Sequence, residues 1–443
     1  MVLRAWVIAL VGTVACGRNS RAIVVRPARS ALGFNEWDVM GGLFNETLLM
    51  RYAAGMKAQL QPFGYEYCVI DGGWHGDYDG GSDEYGRMLF DPLKYPAAAQ
   101  SRKGMGVYAD RLHSMGLKFG LWTCRGVPAQ IAQNRSLRVK GTQYAVGDIV
   151  DQNGAHCPWN SNWLAVNASH PAAQAYYDSI VELFADWDLD FIKWDCMDST
   201  ESRPEMLMAS SAIERSDQPI RLSLSLGPLQ SVDMGRWIEN STVASSFRVT
   251  TDFWGGWGAS LSGADIIAQY AKLGMIGTNN SFPDLDMMPF GRIKVSKYPP
   301  RGHEWTDGSV SLMMTLYIIT RGPLMFGGEL PITDSFTLSF MTNRLAYDIH
   351  ANSTGCREVQ HDSTKRVWTA ALGNRRVVAV LNANHTHPLN TTLQTTVLGT
   401  GQWRGVRMTD VWARTTNTVI LREQELPVHV PQAGGILLVL EES

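Results

Sequence analysis

The chain has 443 residues, of which 45% are hydrophobic and 18% charged, and a formal net charge of -3. That length exceeds one small core and suits a large domain with a smaller one appended, in a composition that excludes a disordered chain. The near balance of charge leaves no footprint for nucleic acid, and no basic run marks a membrane-surface segment.

Residues 1–17 read as a secretory signal. Arg4 supplies the positive start, Ala5–Ala15 a short apolar run, and the small residues around Thr13, Ala15 and Gly17 a cleavage site. The run is shorter than a membrane span, and no later segment reaches that length without a charge or a Pro. Glycosylation sequons at Asn45, Asn134, Asn167, Asn240, Asn279, Asn352, Asn384 and Asn390 point the same way. The expected destination is the cell exterior or a lysosomal or vacuolar lumen. Cleavage would remove Cys16 and leave Cys68, Cys124, Cys157, Cys196 and Cys356, an odd number with at least one free thiol. Cys157 with Cys196 is the preferred bridge, and Cys124 is the competing partner. No Cys-x-x-Cys or His-x-x-x-His spacing offers a metal site, so a zinc enzyme is not expected.

From residue 31 short apolar runs alternate with helical periodicity. Ala31–Trp37 predicts a strand, and Asn45 caps a helix whose Leu49, Tyr52, Ala53, Met56 and Leu60 share one face. Tyr65–Ile70 is a second strand, Met105–Leu112 a helical stripe stopped by Gly116, and Lys118–Thr123 a third strand. The stretch 125–169 is polar and without strong periodicity, and loops of that length are usually functional. His170–Asp190 predicts a helix and Phe191–Trp194 a strand running into Asp195. Strands follow at Ile220–Leu226, Ser246–Thr251, Phe282–Met288 and Pro323–Phe326, with helices at Ser231–Asn240, Ala264–Leu273 and Thr306–Thr320. Eight strands in this rhythm predict an α/β fold, a closed parallel (β/α)8 TIM barrel over 30–350. A doubly wound sheet fits less well, because no Gly-x-Gly-x-x-Gly turn follows the first strand. Residues 351–443 change character: short β runs at Arg366–Leu372, Arg376–Asn382, Thr392–Val397, Thr409–Ala413, Thr418–Leu421 and Gly435–Leu440 predict a small antiparallel β-sandwich.

Active sites of such barrels lie at the C-terminal ends of the strands, where this sequence sets Asp71, Asp195, Asp252, Asp284 and Asp286. Two carboxylates across a glycosidic bond suffice for its hydrolysis: one attacks the anomeric carbon, and the other protonates the leaving oxygen and then activates water. No Gly-x-Ser-x-Gly elbow competes. Fifteen Trp suit a sugar site, although large enzymes also bury Trp for packing alone.

Leu-Gly-Phe-Asn-Glu-Trp-Asp (32–38), Asp-Glu-Tyr-Gly-Arg (83–87), Gly-Leu-Lys-Phe-Gly-Leu (116–121), Lys-Trp-Asp-Cys (193–196), Pro-Asp-Leu-Asp-Met (283–287) and Pro-Leu-Met-Phe-Gly-Gly (323–328) occur in this order. Together they resemble glycoside hydrolase family 27, the α-galactosidase and α-N-acetylgalactosaminidase family, and its plant-type β-L-arabinopyranosidase-like subgroup. The resemblance implies Asp195 as nucleophile in a Lys-x-Asp motif, with Lys193 donating to sugar hydroxyls. It implies Asp252 as acid/base in Arg-x-x-x-Asp, with Arg248 holding ring hydroxyls. Trp37 would stack on the sugar, Asp71 would bind the far side of the ring, and Asp286 would line the site. For each, a structural role is the alternative: a core Trp, a strand-end cation, an Arg–Asp pair.

Two departures bear on specificity. The family's Asp-Asp pair is Asp71-Gly72 here, so one hydroxyl-reading carboxylate is missing, and such a group can discriminate epimers. The segment 222–228 carries Ser225 where α-galactosidases have Glu, which is similar to the N-acetylgalactosaminidase pattern. The expected activity is exo-acting, retaining hydrolysis of terminal α-D-galactosyl residues, with the carboxyl groups roughly 5–5.5 Å apart. Its partner would be an oligosaccharide, glycoconjugate or polysaccharide, and the protein a monomer or homodimer. The alternatives are β-L-arabinopyranosides, α-N-acetylgalactosaminides or α-glucans as substrates, or a catalytically silent sugar-binding protein.

Overall fold

The computed structural model describes residues 28–76, 81–154, 156–197, 199–225, 232–278, 281–291, 305–401 and 403–443. The expected signal segment and the Asn279 sequon lie outside them.

Eight strands form one parallel sheet: β1 (Leu32–Asn35), β2 (Tyr67–Ile70), β3 (Lys118–Cys124), β4 (Phe191–Asp195), β5 (Arg221–Leu224), β6 (Ser246–Arg248), β7 (Phe282–Asp284) and β8 (Leu324–Phe326). From β1 to β7 each pairs with the next in chain order, and β8 pairs with β1. A parallel bridge between Met288, just past β7, and Phe326 of β8 closes the ring. The longer helices are α1 (Glu46–Gln59), α2 (Gly106–Ser114), α3 (Ala173–Asp186), α4 (Arg203–Ser216), α5 (Val232–Ser241), α6 (Trp257–Lys272), α7 (Asp307–Thr320) and α8 (Arg344–Asn352). The expected barrel is therefore the observed one.

Local chemistry explains the boundaries. The Asn45 side chain accepts the Leu48 N–H and caps α1. Helix α7 is buried on every side because it lies between the barrel and the C-terminal sheet, where the Ser311 hydroxyl accepts Gly435 N–H and Thr315 accepts the Trp412 indole N–H. Helices α4 and α8 were not expected from the sequence. Yet α4 carries Pro204 in its first turn and buries Glu205, Met206, Ala209, Ala212 and Ile213 at helical spacing. Helix α6 starts seven residues earlier than expected, at Trp257 rather than Ala264.

The C-terminal sheet contains β9 (Thr354–His361), β10 (Lys365–Leu372), β11 (Arg375–Asn382), β13 (Gly405–Asp410), β14 (Thr415–Ile420) and β16 (Gly435–Glu442), in the order β9-β10-β11-β16-β13-β14. A two-stranded ribbon of β12 (Leu389–Gln394) and β15 (Glu425–Val430) packs across it through Leu393, Leu426, Val428 and Val430. Strands β9 and β15 were not anticipated. Pro427 obscured β15, whose outward side it occupies while Leu426, Val428 and Val430 turn inward. The expected strand Thr392–Val397 is corrected: it ends at Gln394, and Thr395–Leu398 is a helical turn. The expected Thr409–Ala413 is likewise displaced, to Gly405–Asp410.

The barrel interior is filled in layers. Tyr67 and Phe191 meet at 5.5 Å between ring centroids near the base, with Val69, Met287 and Met325 above them. The strand backbones approach so closely there that only glycine fits on the neighbouring strand. A Cβ on Gly33 would stand 2.1 Å from the Tyr67 carbonyl oxygen, and one on Gly120 would stand 2.9 Å from the Phe191 Cβ. Beyond this apolar filling polar side chains take over, Lys193, Ser225, Arg248 and Asp286 among them.

Candidate active site

Side chains two apart on a strand share a face. That alternation carries Phe191, Lys193 and Asp195 inward from β4, leaving Ile192 and Trp194 to the helices. The same rule brings Asn35, Val69, Ser223, Ser225, Arg248, Asp284, Asp286 and Met325 to one cavity with Lys193.

Asp195 is held from two sides. The Trp122 indole donates to Oδ2 at 3.0 Å, and the Cys196 backbone N–H donates to Oδ1 at 2.8 Å. Trp122 stands level with Lys193 in the β3–β4 register, which puts it on the inner face. No role for Trp122 was read from the sequence; its position two residues short of the end of β3 was the available signal.

Lys193 reaches across the barrel to Asp71, with Nζ 2.6 Å from Oδ2. The same oxygen accepts from Asn35 Nδ2 at 2.7 Å, and Oδ1 accepts the Gly72 N–H at 2.7 Å. Burial alone would lower the Lys193 ammonium, but the carboxylates of Asp71, Asp286 and Asp195 outweigh it and hold the group above its ordinary value.

On the opposite wall Arg248 Nη1 lies 2.9 Å from Asp252 Oδ1 and 3.5 Å from Asp286 Oδ2. The guanidinium is buried, whereas the Asp252 side chain is 60% exposed at the mouth. Burial opposes the Arg248 charge, and Asp286, Asp252, Asp195 and Asp284 together raise its pKa nonetheless. Asp286 takes a left-handed backbone, φ 83°, which turns its carboxylate inward to accept the Phe253 N–H at 2.9 Å. Beside it, burial and then the charge of Asp286 push the Asp284 carboxyl up to about 7.

Behind Asp71 and Trp37 lie two further buried acids. Glu36 accepts the Asp71 backbone N–H at 2.8 Å, and its other oxygen has no hydrogen-bond partner among the described residues. Desolvation, then repulsion by Asp71, raises Glu36; desolvation, then repulsion by Asp286, raises Asp38. Both were visible in the 32–38 motif without an assigned role.

Trp37 packs against the inner layer of Tyr67, Val69, Phe191, Met287 and Met325 and is itself half-buried. Gly72 lies between it and Trp122: a Cβ there would meet Trp37 Cζ3 at 3.5 Å and Trp122 ring carbons at 4.0 Å. Ser225 is buried, and its hydroxyl has no hydrogen-bond partner among the described residues. The eight sequence-derived positions thus fall on the strand ends of a single barrel mouth.

Cys157 and Cys196 form a disulfide that ties the 125–169 loop to the residue after Asp195. Cys124 remains a buried thiol whose sulfur lies within 4.8 Å of both. Cys68 and Cys356 are also free.

Inward-facing carboxylates at the strand ends of a parallel barrel, braced by buried cations beside an indole face, are the equipment of a glycoside hydrolase. Comparison with known proteins agrees. The family model Melibiase matches residues 24–220, and that of the alpha galactosidase C-terminal beta sandwich domain matches residues 362–440. A glycoside hydrolase family 27 β-L-arabinopyranosidase variant from Geobacillus stearothermophilus, in complex with arabinose, is 31% identical with a TM-score of 0.86, covering 94% of this chain and 98% of that one. A Bacillus halodurans C-125 structure with a proposed α-N-acetylgalactosaminidase activity is 28% identical, with a TM-score of 0.82 and coverage of 95% and 100%. Alpha-galactosidase 2 from Arabidopsis thaliana is 21% identical over 397 residues, 88% of this chain and 85% of that protein. The chain belongs to glycoside hydrolase family 27.

Proposed function

We propose that the protein removes terminal galactose-configured sugars from a carbohydrate substrate with retention of configuration, Asp195 acting as nucleophile and Asp252 as acid/base. The observation that carries this reading is the placement of the two groups at strand ends of one barrel: Asp195 ends β4 between two N–H donors, and Asp252, just beyond β6, pairs with the buried Arg248 at 2.9 Å. Two N–H donors orient Asp195 toward an anomeric carbon. Asp252, exposed at the mouth, can exchange its proton with the leaving oxygen and then with water. Lys193, Asp71 and Arg248 would read ring hydroxyls, Trp37 would cover the apolar face of the ring, and Asp286 would line the pocket. The accumulated negative charge favours the oxocarbenium-like transition state. This chemistry calls on no metal or cofactor.

A second reading, β-L-arabinopyranosidase activity, is favoured by Gly72, which leaves the space between Trp37 and Trp122 without a carboxylate, and by the 31% identical arabinopyranosidase. Buried, unpartnered Ser225 is the feature that speaks for α-N-acetylgalactosaminides. A panel of aryl α-galactoside, β-L-arabinopyranoside, α-N-acetylgalactosaminide and α-glucoside at acidic pH separates them. Turnover of one of the first three, retained anomeric configuration by NMR, and its loss in Asp195→Asn are expected. Full activity in Asp195→Asn would end the nucleophile assignment, and sugar binding without turnover would leave a lectin.

A further inference from the structure

Asp195 can attack a sugar only while its carboxylate is aimed, and part of that aim depends on an uncommon backbone. Cys196, the next residue, lies in the left-handed region with φ 62°. Residues with a side chain avoid that region unless their surroundings hold them in it. The peptide between Asp195 and Cys196 donates its N–H to Asp195 Oδ1 at 2.8 Å. The tilt of that peptide plane is set on its far side by this same φ.

Arg125, the residue just after β3, grips both ends of the step. Its backbone N–H donates to the Asp195 carbonyl at 3.0 Å, and its Nε donates to the Cys196 carbonyl at 2.8 Å. The guanidinium is 2% exposed, and Nη1 lies 2.8 Å from Oε1 of Glu205 on α4, itself 3% exposed. The other Glu205 oxygen accepts the Tyr177 O–H from α3. Two helices thus reach the residue behind Asp195 through one line of buried polar groups, none of which faces the sugar cavity.

An ion pair that only anchored α4 to the barrel would need Nη1 alone. Here the same residue also holds the carbonyls on either side of the turn. The disulfide to Cys157 restrains Cys196 by its side chain, which leaves the Cys196 carbonyl free to swing. On the reading of Asp195 as nucleophile, we propose that Arg125, backed by Glu205 and Tyr177, is a positioning residue: it locks the turn after β4 and so keeps the Asp195 carboxylate on its line of attack.

Arg125→Met removes the grip but strands the Glu205 carboxylate in the interior, a loss that by itself can prevent folding. Adding Glu205→Gln removes that charge and keeps an acceptor for Tyr177, so the double variant is the informative one. Its kcat on the aryl glycoside that the parent hydrolyses best should fall about tenfold to a hundredfold. Inhibition by the free monosaccharide should stay at the parental value, because the groups that would bind the ring are untouched. A parental kcat overturns the proposal. A monosaccharide affinity that falls together with kcat also overturns it, since the pair would then be merely structural. Asp195→Asn, assayed alongside, tests the reading on which the proposal rests. If that variant is fully active, or the parent hydrolyses nothing, the reading fails separately, and a crystal structure of the double variant decides the turn. Cys196 should leave the left-handed region or lose its N–H contact with Asp195 Oδ1. A turn retained unchanged would assign the hold to the disulfide and overturn the role of Arg125.

Discussion

Replacing Lys193 with Met tests whether the barrel mouth is held by its charges. The ammonium lies 2.6 Å from Asp71 Oδ2 with both side chains largely buried, at 14% and 6% exposure. At an effective dielectric near 20 that separation corresponds to about 6 kcal/mol of attraction, part of which is offset by the cost of burying both charges. Removing one partner of such a pair costs about 3–5 kcal/mol, because the other charge stays buried without it. For a barrel of this size that is a fall of roughly 6 °C in Tm. The partners are not equivalent. Lys193 also feels Asp286 and Asp195, whereas Asp71 keeps only neutral donors, Asn35 and Gly72 N–H, once the ammonium is gone. Lys193→Met should therefore destabilise more than Asp71→Asn, and the double variant should recover most of the loss. Calorimetric Tm values for the four proteins measure the cycle. A Lys193→Met protein melting with the parent, or a double variant no better than it, would refute the reasoning.

Asp284 should make stability depend on pH. A carboxyl raised from its ordinary value of 3.8 to about 7 holds its proton more tightly when folded. Its contribution is most favourable at low pH and is lost as pH rises from about 4 to about 7, a difference of up to about 4 kcal/mol. Asp284→Asn should flatten the urea midpoint over that window, and an unchanged slope would contradict the shift. A Cβ at Gly72 meets Trp37 and Trp122 at ordinary contact distances, so Gly72→Asp returns a carboxylate to the space beside them. It should raise kcat/KM for α-galactoside over β-L-arabinopyranoside by about tenfold or more, since the extra hydroxyl then has an acceptor. Replacing Cys124 and Cys157 together with Ser opens a loop spanning 39 residues and should cost about 4 kcal/mol by chain entropy, read as a lower urea midpoint.

Much of the site was legible because strand-end acids obey a period of two. Lys193 and Asp195 in Lys-Trp-Asp must share a face, and the apolar run before them demands burial. Trp122 escaped notice because its role depends on a register partner, Lys193, that lies 71 residues later. Helix α4 was readable from Pro204 and its apolar stripe but was masked by the polar residues around it. Strand β15 was hidden by Pro427, which is tolerated because its strand pairs on one side alone.

Local order alone determined the alternation of strand and helix, the parallel barrel, the β-rich C-terminal region and the acids at the strand ends. These follow from hydrophobic period and chain order, which neighbouring residues encode. Only the closed barrel decided that Lys193 would answer Asp71, that Arg248 would lie between Asp252 and Asp286, and that Glu36 and Asp38 would be buried beside them. Those outcomes are set by distances between strands far apart in sequence, and by the desolvation that closure imposes on every charge inside.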